Sequence, residues 1–397
     1  MLRQLMIVLI TLPGGLAVAH EADGVPVETA WGTILKGSPA SGRYELSIQN
    51  RPSDARLRMP APFPHIVRCL SDSGDRRIDF EFNRDASALT LLWPGDESAA
   101  ASASGRVIVE TSEQSQQFAD GRIVFSALDA RVVGERAQLE SHPGNHRIGF
   151  WTNANDYVAW SYDATRWGMY DVLLTYSSAA PDGSRVEVEM ASEKSEAVTV
   201  DATLKSTGSW YRYTTIDVGQ IYLASSGAHA LSVKCLKKVG VAVMNLKSVI
   251  LVPACEGTPP VQGDDGIVTL HGRDATIHGT TLRWEPAEKK RTIGYWIKSG
   301  DAVAWTFELS QPGEYDVEVL QGCGKGQGGS QMLIQGPTQP IRWQVEETGH
   351  FQKFEPRIVG RFNFSESGEN KITVQPTKIA AQAACDIRQI RLIPVKE

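Results

Sequence analysis

Several features that mark common classes of protein are missing from this sequence of 397 residues. The sequence has no run of five or more basic residues and its formal net charge is −6, which argues against a nucleic acid partner because binding to phosphates needs clustered cations. No apolar run approaches the roughly 20 residues that a membrane-spanning helix needs. Apolar residues with the 3.6-residue period of a helix are also absent over any long stretch, so the sequence predicts neither membrane spans nor long helices.

Motifs of enzyme and metal chemistry are equally scarce. There is no G-x-S-x-G nucleophile elbow and no H-E-x-x-H zinc motif. The five cysteines include no C-x-x-C pair, and their odd number leaves at least one thiol unpaired. Residues 324–329 fit the G-x-G-x-x-G pattern, but a strand pattern follows them where a dinucleotide site needs a helix. We therefore expect no catalytic residues, no metal site and no cofactor.

The N-terminus has the pattern of an export signal. Arg3 supplies a positive charge, residues 5–12 are apolar, and Ala17 and Ala19 form a small-x-small cleavage pattern. We interpret residues 1–19 as a signal peptide and expect a mature chain that is secreted, periplasmic or held at the cell surface. The alternative is an uncleaved anchor.

One segment occurs twice and organises the rest of the chain. IGFWTNANDYVAW, which starts at Ile148, is matched 145 residues later by IGYWIKSGDAVAW. The match resumes downstream at an offset of 141 residues, where Gly208 and Pro253 correspond to Gly349 and Pro394. A unit of about 130 residues is far longer than the roughly 20–50 residues of a solenoid repeat, so the pattern indicates a duplicated domain.

Short segments of alternating apolar residues, separated by Gly, Pro, Asn and Asp, predict an all-β protein. We expect a small antiparallel β-domain at residues 25–112, followed by two tandem jelly-roll β-sandwiches at residues 120–254 and 265–395. Each sandwich contains the phrase D-x-V-x-W. Its Val and Trp are predicted core residues, and its aspartates, Asp156 and Asp301, are predicted to fix turns.

Aromatic and polar side chains at matching positions of the two units are candidates for binding a sugar. One tryptophan in each unit precedes a loop rich in Asn, Ser or Gly, and a second aromatic follows a turn glycine. An aromatic ring can cover the apolar face of a sugar while polar groups bind its hydroxyls. The full set is Trp151, Tyr157, Trp210 and Asn245 in the first unit and Trp296, Phe351 and Asp386 in the second. The alternative is that these aromatics close the end of the hydrophobic core.

The two units resemble the carbohydrate-binding modules of family six, which belong to the galactose-binding-like jelly rolls. The resemblance implies that Trp151 and Trp210 sandwich a sugar and that Asn245 forms a hydrogen bond with it. The second unit departs from the pattern because Phe351 replaces a tryptophan and Asp386 replaces the asparagine. The family often holds a structural calcium, but the position that would supply an acidic ligand near the last strand is a cation in both units, Lys247 and Arg388. We therefore do not carry the calcium over.

The first domain is similar to the small β-domain that follows the catalytic barrel in α-L-fucosidases. The shared pattern runs from Trp31-Gly32 to Leu57-x-Met59-Pro60, although Arg51 stands where the fucosidases have a tryptophan. No stretch alternates strands with helices as a barrel does, so glycosidase activity is not expected.

The function that follows is an exported, non-catalytic protein that binds a glycan or polysaccharide. Two alternatives remain open at this point. One is an accessory part of a fucosidase or sulfatase system that acts with a separate catalytic chain. The other is a structural module at the cell surface that binds other proteins.

Overall fold

A computed structural model describes residues 27–35, 43–50, 52–60, 66–71, 76–83, 88–93, 105–111, 114–142 and 145–395. In this part of the chain the protein is all-β, as predicted, with 31 strands and two short 3-10 turns, Ala127–Asp129 and Gly272–Asp274. No helix within these ranges is long and apolar enough to cross a membrane. The predicted signal peptide, residues 1–19, lies outside the described residues.

The N-terminal domain consists of eight antiparallel strands, counted over its described residues. They are β1 (Val27–Thr29), β2 (Gly32–Leu35), β3 (Arg43–Ile48), β4 (Arg56–Pro60), β5 (Ile66–Ser71), β6 (Arg77–Asn83), β7 (Ala88–Leu92) and β8 (Gly105–Thr111). They pair in the order β1-β2-β3-β8-β5-β6-β7-β4. The alternation in β6 places Ile78, Phe80 and Phe82 in the core of the domain, beside Trp31.

The first sandwich is formed by the next twelve strands. They are β9 (Gln116–Gln117), β10 (Ile123–Ser126), β11 (Arg131–Val133), β12 (Gln138–Glu140), β13 (Arg147–Gly149), β14 (Tyr157–Ala164), β15 (Gly168–Ser178), β16 (Arg185–Ser192), β17 (Ser195–Thr203), β18 (Ser209–Leu223), β19 (Gly227–Lys237) and β20 (Asn245–Pro253). One sheet has the order β9-β10-β20-β15-β18, with β13 paired to β20 and β12 paired to β13, and the other has the order β11-β14-β19-β16-β17. The core lies between them.

The second sandwich repeats this strand order. Its strands are β21 (Val268–His271), β22 (Thr276–His278), β23 (Arg283–Glu285), β24 (Thr292–Gly294), β25 (Ala302–Leu309), β26 (Gly313–Cys323), β27 (Gln331–Gln335), β28 (Ile341–Gln344), β29 (His350–Phe364), β30 (Gly368–Lys378) and β31 (Asp386–Pro394). One sheet runs β21-β31-β26-β29, with β24 paired to β31 and β23 paired to β24, and the other runs β22-β25-β30-β27-β28.

The three domains contact one another directly. β6 of the N-terminal domain pairs with β18, so the sheet continues from the N-terminal domain into the first sandwich. At the other junction, the buried guanidinium of Arg166 donates hydrogen bonds to the carbonyls of Ile277 and Gly279. The Trp167 indole N–H donates to the carbonyl of Trp284 at 2.8 Å. These contacts hold backbone groups of the second sandwich against the first.

The repeated D-x-V-x-W phrase has the structural role predicted for it. Trp160 and Trp305 are buried, and their indole N–H groups donate to the carbonyls of Ser126 and His271. Asp156 is 1% exposed and accepts hydrogen bonds from the backbone N–H groups of the 135–137 turn at 2.7 to 3.0 Å. Asp301 does the same for residues 280–282.

Replacement of Asp156 by alanine is expected to destabilise the first sandwich by about 2–3 kcal/mol, since hydrogen bonds to a charged group are strong and their loss leaves buried donors unpaired. Chemical denaturation followed by circular dichroism measures this. Asp163→Ala, at an exposed position in β14, is the matched control and should change stability by less than about 0.5 kcal/mol. Equal denaturation midpoints for the two variants would contradict the role assigned to Asp156.

Candidate functional site

Trp151 and Trp296 lie in the cores of the two sandwiches and are 0% exposed. Each indole N–H donates a 3.0 Å hydrogen bond to a buried backbone carbonyl, of Asp156 in the first sandwich and of Asp301 in the second. No sugar can reach rings in these positions. The platform role predicted for these two tryptophans is therefore corrected to the alternative, core packing.

The ring that faces solvent belongs to the preceding residue. Phe150 is 56% exposed and Tyr295, at the matching position, is 43% exposed. Both have a positive φ, 51° and 64°, which is rare for a residue with a large side chain. This conformation breaks the in-out alternation of the strand, so Trp151 turns inward and the Phe150 ring turns outward. Backbone strain of this kind is concentrated at functional sites.

Two side-chain oxygens of the first sandwich, from Glu140 and Asn245, lie against the backbone of Gly149, the residue before Phe150. A methyl group at Gly149 would lie 3.1 Å from Asn245 Oδ1 and would collide with Glu140 Oε2, so glycine is required where these two oxygens approach the chain. Asn245 is 6% exposed and its Nδ2 donates to the carbonyl of Trp210 at 2.8 Å. The structure thus brings Phe150, Glu140, Asn245 and the start of β18 to one end of the sandwich.

Arg147 fixes the carboxylate of Glu140. Its Nε and Nη2 each donate to one Glu140 oxygen at 2.9 Å, and its guanidinium lies 5.1 Å from the centre of the Tyr211 ring. Arg147 is 2% exposed, so this bidentate pair is largely shielded from water and well defined in geometry. Tyr157, the remaining candidate of this unit, begins β14 in the opposite sheet and pairs there with Val133 and Lys234.

Lys247 occupies the position considered for a calcium ligand. Its ammonium is buried, donates to Asn145 Oδ1 at 2.9 Å, and lies 4.7 Å and 4.8 Å from the ring centres of Tyr213 and Phe82. Burial lowers the pKa of this lysine well below its usual value. In the second sandwich Arg388 stacks at 3.9 Å on the Phe354 ring. Across the described residues, no group of three or more His, Cys, Asp or Glu side chains is arranged to hold a metal ion.

The corresponding end of the second sandwich is built differently. The Arg283 guanidinium lies 3.4 Å from the centre of the Tyr295 ring and 4.1 Å from that of Trp167, which the first sandwich contributes. Cations stack favourably on aromatic faces, so this contact occupies one face of the Tyr295 ring. Phe351 is half-buried. Its ring packs closely against the backbone at Gly324, where a methyl group would lie 2.7 Å from Phe351 Cε2.

Asp386 replaces the asparagine of the first unit and is 6% exposed. Burial and the nearby carboxylate of Glu285 raise its pKa to about 8. Glu285 forms a 2.5 Å ion pair with Lys290. The second site therefore contains two close carboxyl groups where the first contains one carboxylate and one amide.

A family of known proteins matches the first sandwich. Residues 133–253 match the family model described as carbohydrate binding module (family 6). The match supports a carbohydrate-binding role. It covers the segment that carries Glu140, Phe150, Trp210 and Asn245, and not the N-terminal domain or the second sandwich.

Solved structures with similarity to the chain include a family 35 carbohydrate-binding module from Clostridium thermocellum, at 16% identity over 33% of this chain and 97% of that chain, with a TM-score of 0.28. The C-terminal family 6 module of a laminarinase from Zobellia galactanivorans has 15% identity over 33% of this chain and 98% of that chain, with a TM-score of 0.27. The chain covers only 29% of a third structure, a mannanase from Podospora anserina, at 16% identity and a TM-score of 0.28. No curated protein matches the chain significantly.

Proposed function

We propose that this protein binds carbohydrate, without catalysing a reaction on it, at the end of the first sandwich where Phe150 is exposed. The observation that carries the proposal is the 56% exposed Phe150 ring directly beside a glycine onto which Glu140 and Asn245 oxygens converge. The ring offers an apolar face for a sugar, and the two oxygens accept hydrogen bonds from its hydroxyls. The family match over residues 133–253 supports the carbohydrate-binding part of the proposal.

The second sandwich is a weaker candidate within this proposal. Arg283 covers one face of Tyr295, and Asp386 stands where the first unit has an amide. We assign the principal site to the first sandwich. A single shallow site of this kind binds weakly, near millimolar, or about −4 kcal/mol. A second site on the same chain would increase the apparent affinity only if both reached one polymer at once.

Export and action alongside another protein belong to the same proposal. The pattern in residues 1–19 supports export. A glycoside hydrolase or sulfatase that acts on the bound polymer is the partner class that a non-catalytic sugar-binding chain would serve. Co-purification of such an activity with the tagged protein from its native source tests this.

Phe150→Ala is expected to weaken binding about tenfold or more, about 1.4 kcal/mol, because it removes the exposed ring and leaves the core intact. The measurement is a screen of neutral, fucosylated and sulfated polysaccharides by affinity electrophoresis, followed by calorimetry on the ligand that binds. Trp210→Ala is expected to act in the same direction.

Leu236→Ala is the control, since Leu236 is 49% exposed in β19 of the other sheet and its loss should leave affinity unchanged. Tyr295→Ala compares the matching ring of the second sandwich and should have the smaller effect. Equal affinities for the unaltered protein and Phe150→Ala would refute the assigned site.

A further inference from the structure

A cavity of about 580 Å³ lies where the N-terminal domain meets the first sandwich. Its volume is in the usual range for small-molecule sites, which occur preferentially at domain interfaces. None of its lining residues belongs to the Phe150 end described above. It is lined by both domains, with Asp79 from β6 and the remaining residues from β15, β17, β18 and the 205–207 segment.

The pairing of β6 with β18 sets the inner wall of the cavity. Phe80 pairs with Tyr213, and both rings stack in the core of the N-terminal domain with centres 5.3 Å apart. Because side chains alternate along a strand, their neighbours Asp79, Arg212 and Thr214 face the other way and line the cavity. Thr214 lies next to Asp79 in the lining, and its side chain lowers the pKa of the Asp79 carboxyl group.

The opposite wall is held in place by the first sandwich alone. The Tyr176 hydroxyl donates to the Lys205 carbonyl at 2.9 Å and accepts from the Lys205 N–H at 3.0 Å. The Ser206 N–H donates to Asp182 at 2.7 Å, and the Thr207 N–H donates to the Ser178 carbonyl at 2.8 Å. A wall fixed in advance lowers the ordering cost of binding.

Two acidic residues at the rim of the cavity are already paired with arginines, and Lys205 adds an exposed cation there. Asp201 forms a 2.6 Å ion pair with Arg185, and Asp217 lies 3.4 Å from Arg77. Farther in, burial raises the pKa of Asp79, while Thr214 and Arg212 oppose the shift. Arg212 Nε is buried and donates to no atom of the described residues. The inner end thus contains a partly desolvated acceptor, the Asp79 carboxyl group, close to the guanidinium of Arg212.

We propose that this cavity is a second glycan-binding site that takes an uncharged sugar unit. Asp79 accepts hydrogen bonds from neighbouring sugar hydroxyls, Arg212 donates to a sugar oxygen, and Ile216 and Ala202 supply apolar contact. A carboxylated or sulfated sugar would bring a second negative charge beside Asp79, which disfavours that class. The site requires both domains, which gives the contact between them a role in binding.

The test uses the full chain carrying Phe150→Ala and Trp210→Ala, so that binding at the first site is removed. Saturation-transfer NMR titrations with glucose, galactose, mannose, fucose and xylose, and with glucuronate as the charged probe, measure what remains. We expect saturable binding of at least one uncharged sugar, reduced tenfold or more by Asp79→Asn. Thr214→Val provides a second variant in case Asp79→Asn fails to fold, and is expected to weaken binding several-fold.

Asp163→Asn, at an exposed position outside the cavity, is the matched control and should leave the titration unchanged. Three results would overturn the proposal. They are the absence of residual binding, residual binding that neither Asp79→Asn nor Thr214→Val alters, and binding of glucuronate alone. The outcome that refutes the Phe150 site is a different one. It is an unchanged affinity when Phe150→Ala is the only substitution in the protein.

Discussion

Trp151→Ala is expected to destabilise the first sandwich by about 3–5 kcal/mol, the range for truncation of a large aromatic residue in a core. The ring is 0% exposed and packs in the core between the two sheets. The substitution also removes the donor to the buried Asp156 carbonyl, which adds the cost of an unpaired acceptor. Since domains are stable by only about 5–15 kcal/mol, much of the stability of this sandwich would be lost.

Denaturant titrations of Trp151→Ala and Phe150→Ala, followed by circular dichroism, separate the roles of these two adjacent aromatics. Phe150→Ala should change the free energy of unfolding by less than about 1 kcal/mol because its ring is mostly in solvent. Trp296→Ala should repeat the large loss in the second sandwich. A folded and stable Trp151→Ala protein that no longer binds sugar would restore the platform role and overturn the assignment to the core.

These neighbouring residues also mark the limit of what the sequence pattern could predict. Strand alternation correctly placed Val158 and Trp160 in the core, and the prediction of an all-β protein was correct. In IGFWT, however, two aromatics are adjacent, and the one that faces outward depends on the positive φ of Phe150. No periodic rule predicts such a value. The match of Phe150 with Tyr295, an aromatic in both units, was the available signal.

The contacts between domains were beyond prediction for another reason. β6 and β18 are far apart in sequence, and each has the composition of an ordinary amphipathic strand. Which free edges join depends on how whole domains pack. The burial of Lys247 against Phe82 and Tyr213 and the cavity beside Asp79 both follow from that packing.

Residue differences between the sandwiches change the electrostatics of the two matching ends. The acid before β13 or β24 is retained as Glu140 and Glu285, but Arg147 is replaced by Thr292. In the first sandwich Arg147 neutralises Glu140 and the amide of Asn245 lies nearby. In the second, Lys290 is the cation that pairs with Glu285, and Asp386 adds a further carboxyl group to this end.

Asp386→Asn is therefore expected to stabilise the second sandwich at neutral and alkaline pH. The folded protein holds the pKa of Asp386 at about 8, against 3.8 for an ordinary aspartate, so folding favours the protonated form. This contribution is fully present below about pH 4. It is lost as the pH rises from about 4 to 8, because the unfolded chain ionises freely in that range while the folded protein keeps Asp386 protonated. We expect the variant to exceed the unaltered protein by about 2–5 kcal/mol in unfolding free energy at pH 8, and to equal it near pH 4.

Denaturation curves at intervals from pH 4 to pH 9 measure this difference, and the reciprocal substitution is the control. Asn245→Asp places a buried carboxyl group beside Glu140 in the first sandwich, where Asn245 now donates to the Trp210 carbonyl. That variant should lose stability as the pH rises, with the opposite sign to Asp386→Asn. If the stability of Asp386→Asn and of the unaltered protein changed in parallel across this range, Asp386 would have an ordinary pKa, and the difference in charge between the two ends would be smaller than the structure indicates.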